Sequence, residues 1–133
     1  MSTVRKQRRA ETRTMLLEAG LKLVAEQGLE FASLDQVADA AGFTKGAIYR
    51  QFRSKPAFIL AIFEQFAAVA RAGSGARQAP WFIPLTIQFA SQALRDPLLR
   101  RRLAVVLAEA PDGTTSDGQI LRALARVFPP PAA

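Results

Sequence analysis

Apolar residues recur at helical spacing through nearly the whole chain, and the breaks in that rhythm carry a glycine, a proline or a residue able to cap a helix. Strand-like alternation is nearly absent, no internal repeat is present, and the fold class that follows is all-α. A first helix is expected over about Glu11 to Gln27, with Leu16, Ala19, Gly20, Leu23 and Val24 along one stripe and Gly28 as its stop. The basic lead-in to it, Arg5, Lys6, Arg8, Arg9 and Arg13, is expected to fray, with residues 1–10 a flexible arm.

A second helix is expected to start at Ser33, where Ser33 and Gln36 form the S-x-x-Q version of a capping box, and to run to about Ala41 before Gly42 breaks it. A third follows from Thr44 as N-cap to about Phe52. A fourth runs from Ser54, with Pro56 in its tolerant first turn, to about Ala70. Ala72 to Pro80 is small, polar and Gly-rich, a linker signal. Beyond it Pro84 fits an early helix position and Asp96-Pro97 a cap followed by a helix start, giving helices over about 83–95 and 97–109. Pro111 to Asp117 reads as a loop, after which Ile120, Leu121, Leu124, Val127 and Phe128 outline a short last helix ended by Pro129 to Pro131.

Composition narrows the function. A net charge of +7 and a pI near 11.0 favour a polyanionic partner, because neutralising phosphates releases condensed counterions. No apolar run is long enough to span a bilayer and the start of the chain is basic rather than hydrophobic, so no membrane association is expected and a cytoplasmic location is the default. With no cysteine and no histidine, disulfides, the usual zinc ligands and the Ser-His-Asp or Cys-His arrangements are all excluded. The carboxylates lie mostly beside Lys or Arg on faces expected to be exposed. No catalytic residue, cofactor or metal site is assigned.

The motif that remains is a helix-turn-helix. It needs a small residue where two helices touch, a turn residue tolerant of positive φ, and an apolar residue on the inner face of the second helix. Ala38, Gly42 and Ile48 supply these, with Leu34, Val37 and Phe52 adding apolar surface. The outward residues of the third helix are then Thr44, Lys45, Gly46, Ala47, Tyr49, Arg50 and Gln51, a mixture of donors and a small, closely approachable patch that suits a major groove. Each also has a plainer role: Thr44 as a cap only, Gly46 for helix packing, Tyr49 as half-buried core, Arg50 as a solvated charge.

The stretch Ala40 to Phe63, AAGFTKGAIYRQFRSKPAFILAIF, resembles the DNA-binding region of the TetR family of bacterial transcriptional regulators, the likeness extending back to Leu16. The resemblance implies a helix-turn-helix DNA-binding domain over 1–53, a connecting helix over 54–71, the linker over 72–80, and a helical regulatory and dimerisation region over 81–133 that is abbreviated relative to the family. It further implies that Thr44, Lys45 and Gly46 meet bases or phosphates, that Tyr49 contacts the DNA backbone, that Lys55 fixes a phosphate, and that Ser33 caps its helix and touches a phosphate. Two positions depart from the family pattern: Ala32 stands where Thr is usual, and Gln51 where His is often found. Trp81 to Glu109 resembles a stretch common in the family's regulatory domains, which makes Trp81, Phe82, Ile87 and Phe89 candidates for an effector pocket beside their ordinary role as core.

The implied partners are double-stranded DNA carrying a palindromic operator, a second copy of the chain, and a small-molecule effector that releases a repressor. A C-terminal region this small rarely gains more than about 3–5 kcal/mol from its own core, which also favours a homodimer. Two other functions fit parts of the sequence: a truncated helical interaction module that pairs with a full-length partner, and a nonspecific binder of nucleic acid or anionic lipid resting on the Arg-rich ends and on Arg100, Arg101 and Arg102.

Overall fold

The computed structural model describes residues 2–72, 79–109 and 116–130. Among them every regular element is helical: α1 (Ser2–Gln27), α2 (Leu34–Ala41), α3 (Lys45–Gln51), α4 (Lys55–Arg71), α5 (Phe82–Ala93), α6 (Pro97–Ala108) and α7 (Ser116–Val127). They divide into two compact units, Met1–Ala68 and Val69–Ala133, with the boundary inside α4. No described helix is long and apolar enough to cross a membrane.

In the first unit the ends of the helices are fixed locally. Gly28 takes φ 94° and donates its N–H to the Val24 carbonyl at 2.8 Å, stopping α1 where a left-handed residue is needed. Ser33 and Gln36 close a reciprocal capping box, each side chain accepting from the other's backbone N–H at 3.1 and 3.0 Å. Leu16, Leu17 and Val24 of α1, Leu34, Val37 and Ala38 of α2, Ile48 of α3, and Phe58, Ile59 and Ile62 of α4 are all buried. The packing leaves a void of only about 10 Å³ among Val24, Leu34, Val37, Phe58, Ile59 and their neighbours. Gly20 is needed for this closeness, since a Cβ there would stand 2.5 Å from Cζ of Phe58.

Two features of α1 differ from the expectation. The helix begins at Ser2 rather than near Glu11, carrying the whole basic lead-in. That segment lacks Gly and Pro and is rich in Arg, a good helix former, with Lys6, Gln7 and Ala10 adding to it, and propensity outweighs the exposed like charges. The buried stripe also shifts: Leu17 is buried, whereas Ala19 and Leu23 are half-exposed and border an open groove with Met15, Lys22 and Ala41.

In the second unit α5 and α6 pack on each other across a short corner, and α7 packs on α6. Asp96 caps α6 by accepting from the N–H groups of Leu98 and Leu99, with Pro97 at the first helical position. Arg100 turns back on the preceding helix, its Nε donating to the Ala93 carbonyl at 3.2 Å and Nη2 to the Leu94 carbonyl at 2.8 Å. One member of the arginine triplet is therefore a C-terminal cap for α5 rather than a free surface charge. Phe82, Leu85, Phe89, Leu99, Leu103, Leu107, Leu121 and Phe128 are buried. Buried Thr86 satisfies its hydroxyl on the Phe82 carbonyl at 2.8 Å. Helix α7 starts at Ser116, inside the expected loop, and the rest of that loop and most of the expected linker lie outside the described residues.

Candidate nucleic-acid interface

The turn between α2 and α3 is built by Gly42, at φ 78° and ψ 25°. Its N–H donates to the Asp39 carbonyl at 3.2 Å and that of Phe43 to the Ala38 carbonyl at 2.9 Å, so the end of α2 is capped before the chain reverses. Thr44 then opens α3 with its hydroxyl oxygen accepting from the Ala47 N–H at 3.2 Å. Ala38 of α2 and Ile48 of α3 are both fully buried, and the two helices pack on each other. Phe52 ends α3 with its ring edge-on to Phe58 at 4.8 Å between centroids and Arg13 lying 4.8 Å over its face.

With Ile48 turned inward, helical geometry leaves the opposite face of α3 to solvent. Thr44, Lys45, Gly46 and Arg50 are exposed and Tyr49 is 50% exposed, while Ala47 and Gln51 are half-buried at the edges of that face. Nothing in the free protein requires a glycine at 46: a Cβ there would meet the nearest atoms, Nη2 of Arg50 and Oγ1 of Thr44, only at 3.6 and 3.8 Å. Position 46 thus leaves the exposed backbone of α3 bare of a side chain.

The exposed side chains are tied down rather than loose. Arg50 Nε donates to the Gly46 carbonyl at 3.1 Å. Lys45 Nζ lies 3.4 Å from Asp35 Oδ2, and the Tyr49 hydroxyl donates to Asp35 Oδ1 at 3.3 Å. Gln51 Nε2 donates to the Arg9 carbonyl at 2.9 Å, joining α3 to the basic start of α1. Lys55, at the first turn of α4, reaches the Glu30 carbonyl at 3.4 Å, close to Ser33 in the wall of the small void. Asp35 and Arg9 did not emerge from the sequence as site residues; an acid in the first turn of α2 has a sufficient local reason in the helix dipole, and no local signal reports a contact between helices.

Residues 16–62 match the family model described as "Bacterial regulatory proteins, tetR family". Over those residues the chain is similar to the TetR family. The proteins it is similar to include the HTH-type transcriptional regulator AcrR of Shigella flexneri, 41% identical over 64 residues that make up 48% of this chain and 30% of that protein. The HTH-type transcriptional activator FasR of Mycolicibacterium smegmatis is 37% identical over 71 residues, 53% of this chain and 32% of that protein. The HTH-type transcriptional repressor KstR2 of Rhodococcus jostii is 39% identical over 54 residues, 41% of this chain and 26% of that protein. The match thus spans about a third or less of each of these relatives.

All the DNA-facing candidates, Ser33 through Lys55, fall inside the TetR-family span, and the four effector-pocket candidates fall outside it. Those four differ in burial. Phe82 and Phe89 are buried, whereas Trp81 and Ile87 are 38% and 48% exposed. The helical repeat is the reason: Phe82 and Phe89 lie two turns apart on one face of α5, and Ile87 lies on the other. Trp81 and Phe82 meet edge to face at 6.4 Å, an ordinary aromatic packing pair.

Proposed function

We propose that the chain is a sequence-specific regulator of transcription that lays α3 in the major groove of double-stranded DNA. The observation that carries this is the face of α3 itself: Thr44, Lys45, Gly46, Tyr49 and Arg50 stand exposed on a helix whose opposite side is locked by fully buried Ile48. Ser33 and Lys55 flank that face at two helix N-termini, where backbone N–H groups and the helix dipole favour a phosphate. The division of labour is that Lys45 and Arg50 read base edges while Ser33, Tyr49 and Lys55 hold phosphates.

The assembly we propose is a two-fold homodimer on a palindrome, its two recognition helices about 34–36 Å apart in successive major grooves. Repression relieved by a small-molecule effector is the mode of control that the family resemblance supports. An effector acts in this scheme by favouring a dimer in which the two helices are wrongly spaced.

Selection from a genomic fragment library at near-physiological salt tests the reading. The expected result is an enriched palindrome with half-sites about one helical turn apart. Binding without enrichment of any sequence overturns it in favour of nonspecific nucleic-acid binding, and no binding at all overturns it in favour of a protein-interaction module.

A further inference from the structure

Asp35 sits in the first turn of α2, and its carboxylate meets two of the side chains that α3 offers to DNA, Lys45 at 3.4 Å and Tyr49 at 3.3 Å. A helix-dipole role accounts for an acid at this position, but not for the convergence of two donors from another helix on its two oxygens. The Lys45 and Asp35 side chains are 67% and 45% exposed, and an ion pair so open to water adds little to stability. Its effect lies in what it does to the two donors.

We propose that Asp35 is a specificity-determining positioning residue, which holds the Lys45 ammonium and the Tyr49 hydroxyl on the α2 side of the recognition helix and competes with DNA phosphates for both. The inference rests on the DNA-binding reading above. On a duplex of arbitrary sequence, a phosphate contact by Lys45 requires giving up the Asp35 contact and brings a carboxylate toward the phosphate chain. On a cognate site the base edges supply acceptors that compensate for that loss. Asp35 therefore penalises phosphate-only binding more than base-reading binding, and discrimination rises through a repulsive element rather than a new attraction.

The test compares Asp35→Asn with Asp39→Asn in the full chain. Asp39 is exposed one turn further along the same helix, so the change in net charge is the same. Each variant is titrated against a random-sequence duplex and against the duplex that the unmodified chain enriches most, over a series of salt concentrations. Asp35→Asn is expected to tighten binding to the random duplex, to steepen its log–log salt dependence by about 0.9, the increment of one added phosphate contact, and to narrow the affinity ratio between the two duplexes. Asp39→Asn is expected to leave the slope and the ratio unchanged. In a Lys45→Ala, Tyr49→Phe background, Asp35→Asn is expected to lose its effect on both.

Equal behaviour of the two Asn variants, or an Asp35→Asn effect that survives in that background, overturns the proposal while leaving the DNA-binding reading intact. Failure of the unmodified chain to enrich any duplex overturns both. Thermal melting followed by circular dichroism checks folding, and Asp35→Ser, which likewise removes the charge and leaves the Ser33 cap of α2 in place, replaces Asp35→Asn if the latter unfolds.

Discussion

Two glycines of the helix-turn-helix carry opposite demands. At Gly42 the left-handed backbone is the whole requirement, since a Cβ there would meet nothing within 4 Å. Gly42→Ala is therefore expected to destabilise the fold by about 1–2 kcal/mol, the steric cost of a left-handed non-glycine residue, seen as a lower midpoint in thermal or urea unfolding. At Gly46 the backbone is ordinary helix and the surroundings have room. Gly46→Ala is expected to leave stability unchanged or raise it by up to about 1 kcal/mol while weakening operator binding by about tenfold or more, the size of one good groove contact. Unfolding and DNA titration on the same protein separate the two effects; a loss of stability at 46 would place the glycine in the protein's own packing instead.

At the scale of elements, α1 and α5 are each held by a side chain from another helix. The basic start of α1 continues the helix and is tied to α3 through Gln51, which places Arg5, Lys6, Arg8 and Arg9 on the element next to the recognition helix. Replacing these four with Gln is expected to preserve helicity and to reduce the salt dependence of DNA binding by about 0.9 for each cation that meets a phosphate, measured by titration across salt. Helix α5 ends on the guanidinium of Arg100. Arg100→Ala is expected to destabilise the C-terminal unit by about 1–3 kcal/mol through the lost charge-assisted hydrogen bonds, read by hydrogen exchange of the α5 amides, with DNA affinity unaltered. The local punctuation was legible without a structure: the Ser33–Gln36 box, Gly42, Thr44 and the Asp96-Pro97 start all stand where expected, because a cap involves residues within one turn of each other.

For the whole molecule, the two compact units each bury their own apolar face, and the C-terminal one does so with three described helices. A unit of that size draws on further packing, which the proposed homodimer provides. Because association stabilises the folded state by mass action, the melting temperature is expected to rise with protein concentration, and analytical centrifugation at micromolar concentration is expected to give a dimer. A concentration-independent melt together with a monomeric mass would remove the dimer from the proposal. The effector-pocket candidates are divided by burial, Phe82 and Phe89 being enclosed while Trp81 and Ile87 are exposed.

The sequence by itself determined the helical class, the caps, the turn at Gly42 and which face of α3 is buried, because helical periodicity and capping act over a few neighbouring residues. It also carried the resemblance to the TetR family, through the stretch around Ala40 to Phe63. Only the tertiary structure decided that Asp35 restrains Lys45 and Tyr49, that Gln51 reaches back to Arg9, that Arg100 caps α5, and that Gly20 admits the Phe58 ring. Each of these joins side chains or backbone of different helices. Such contacts depend on how the helices pack, which no local window of sequence encodes.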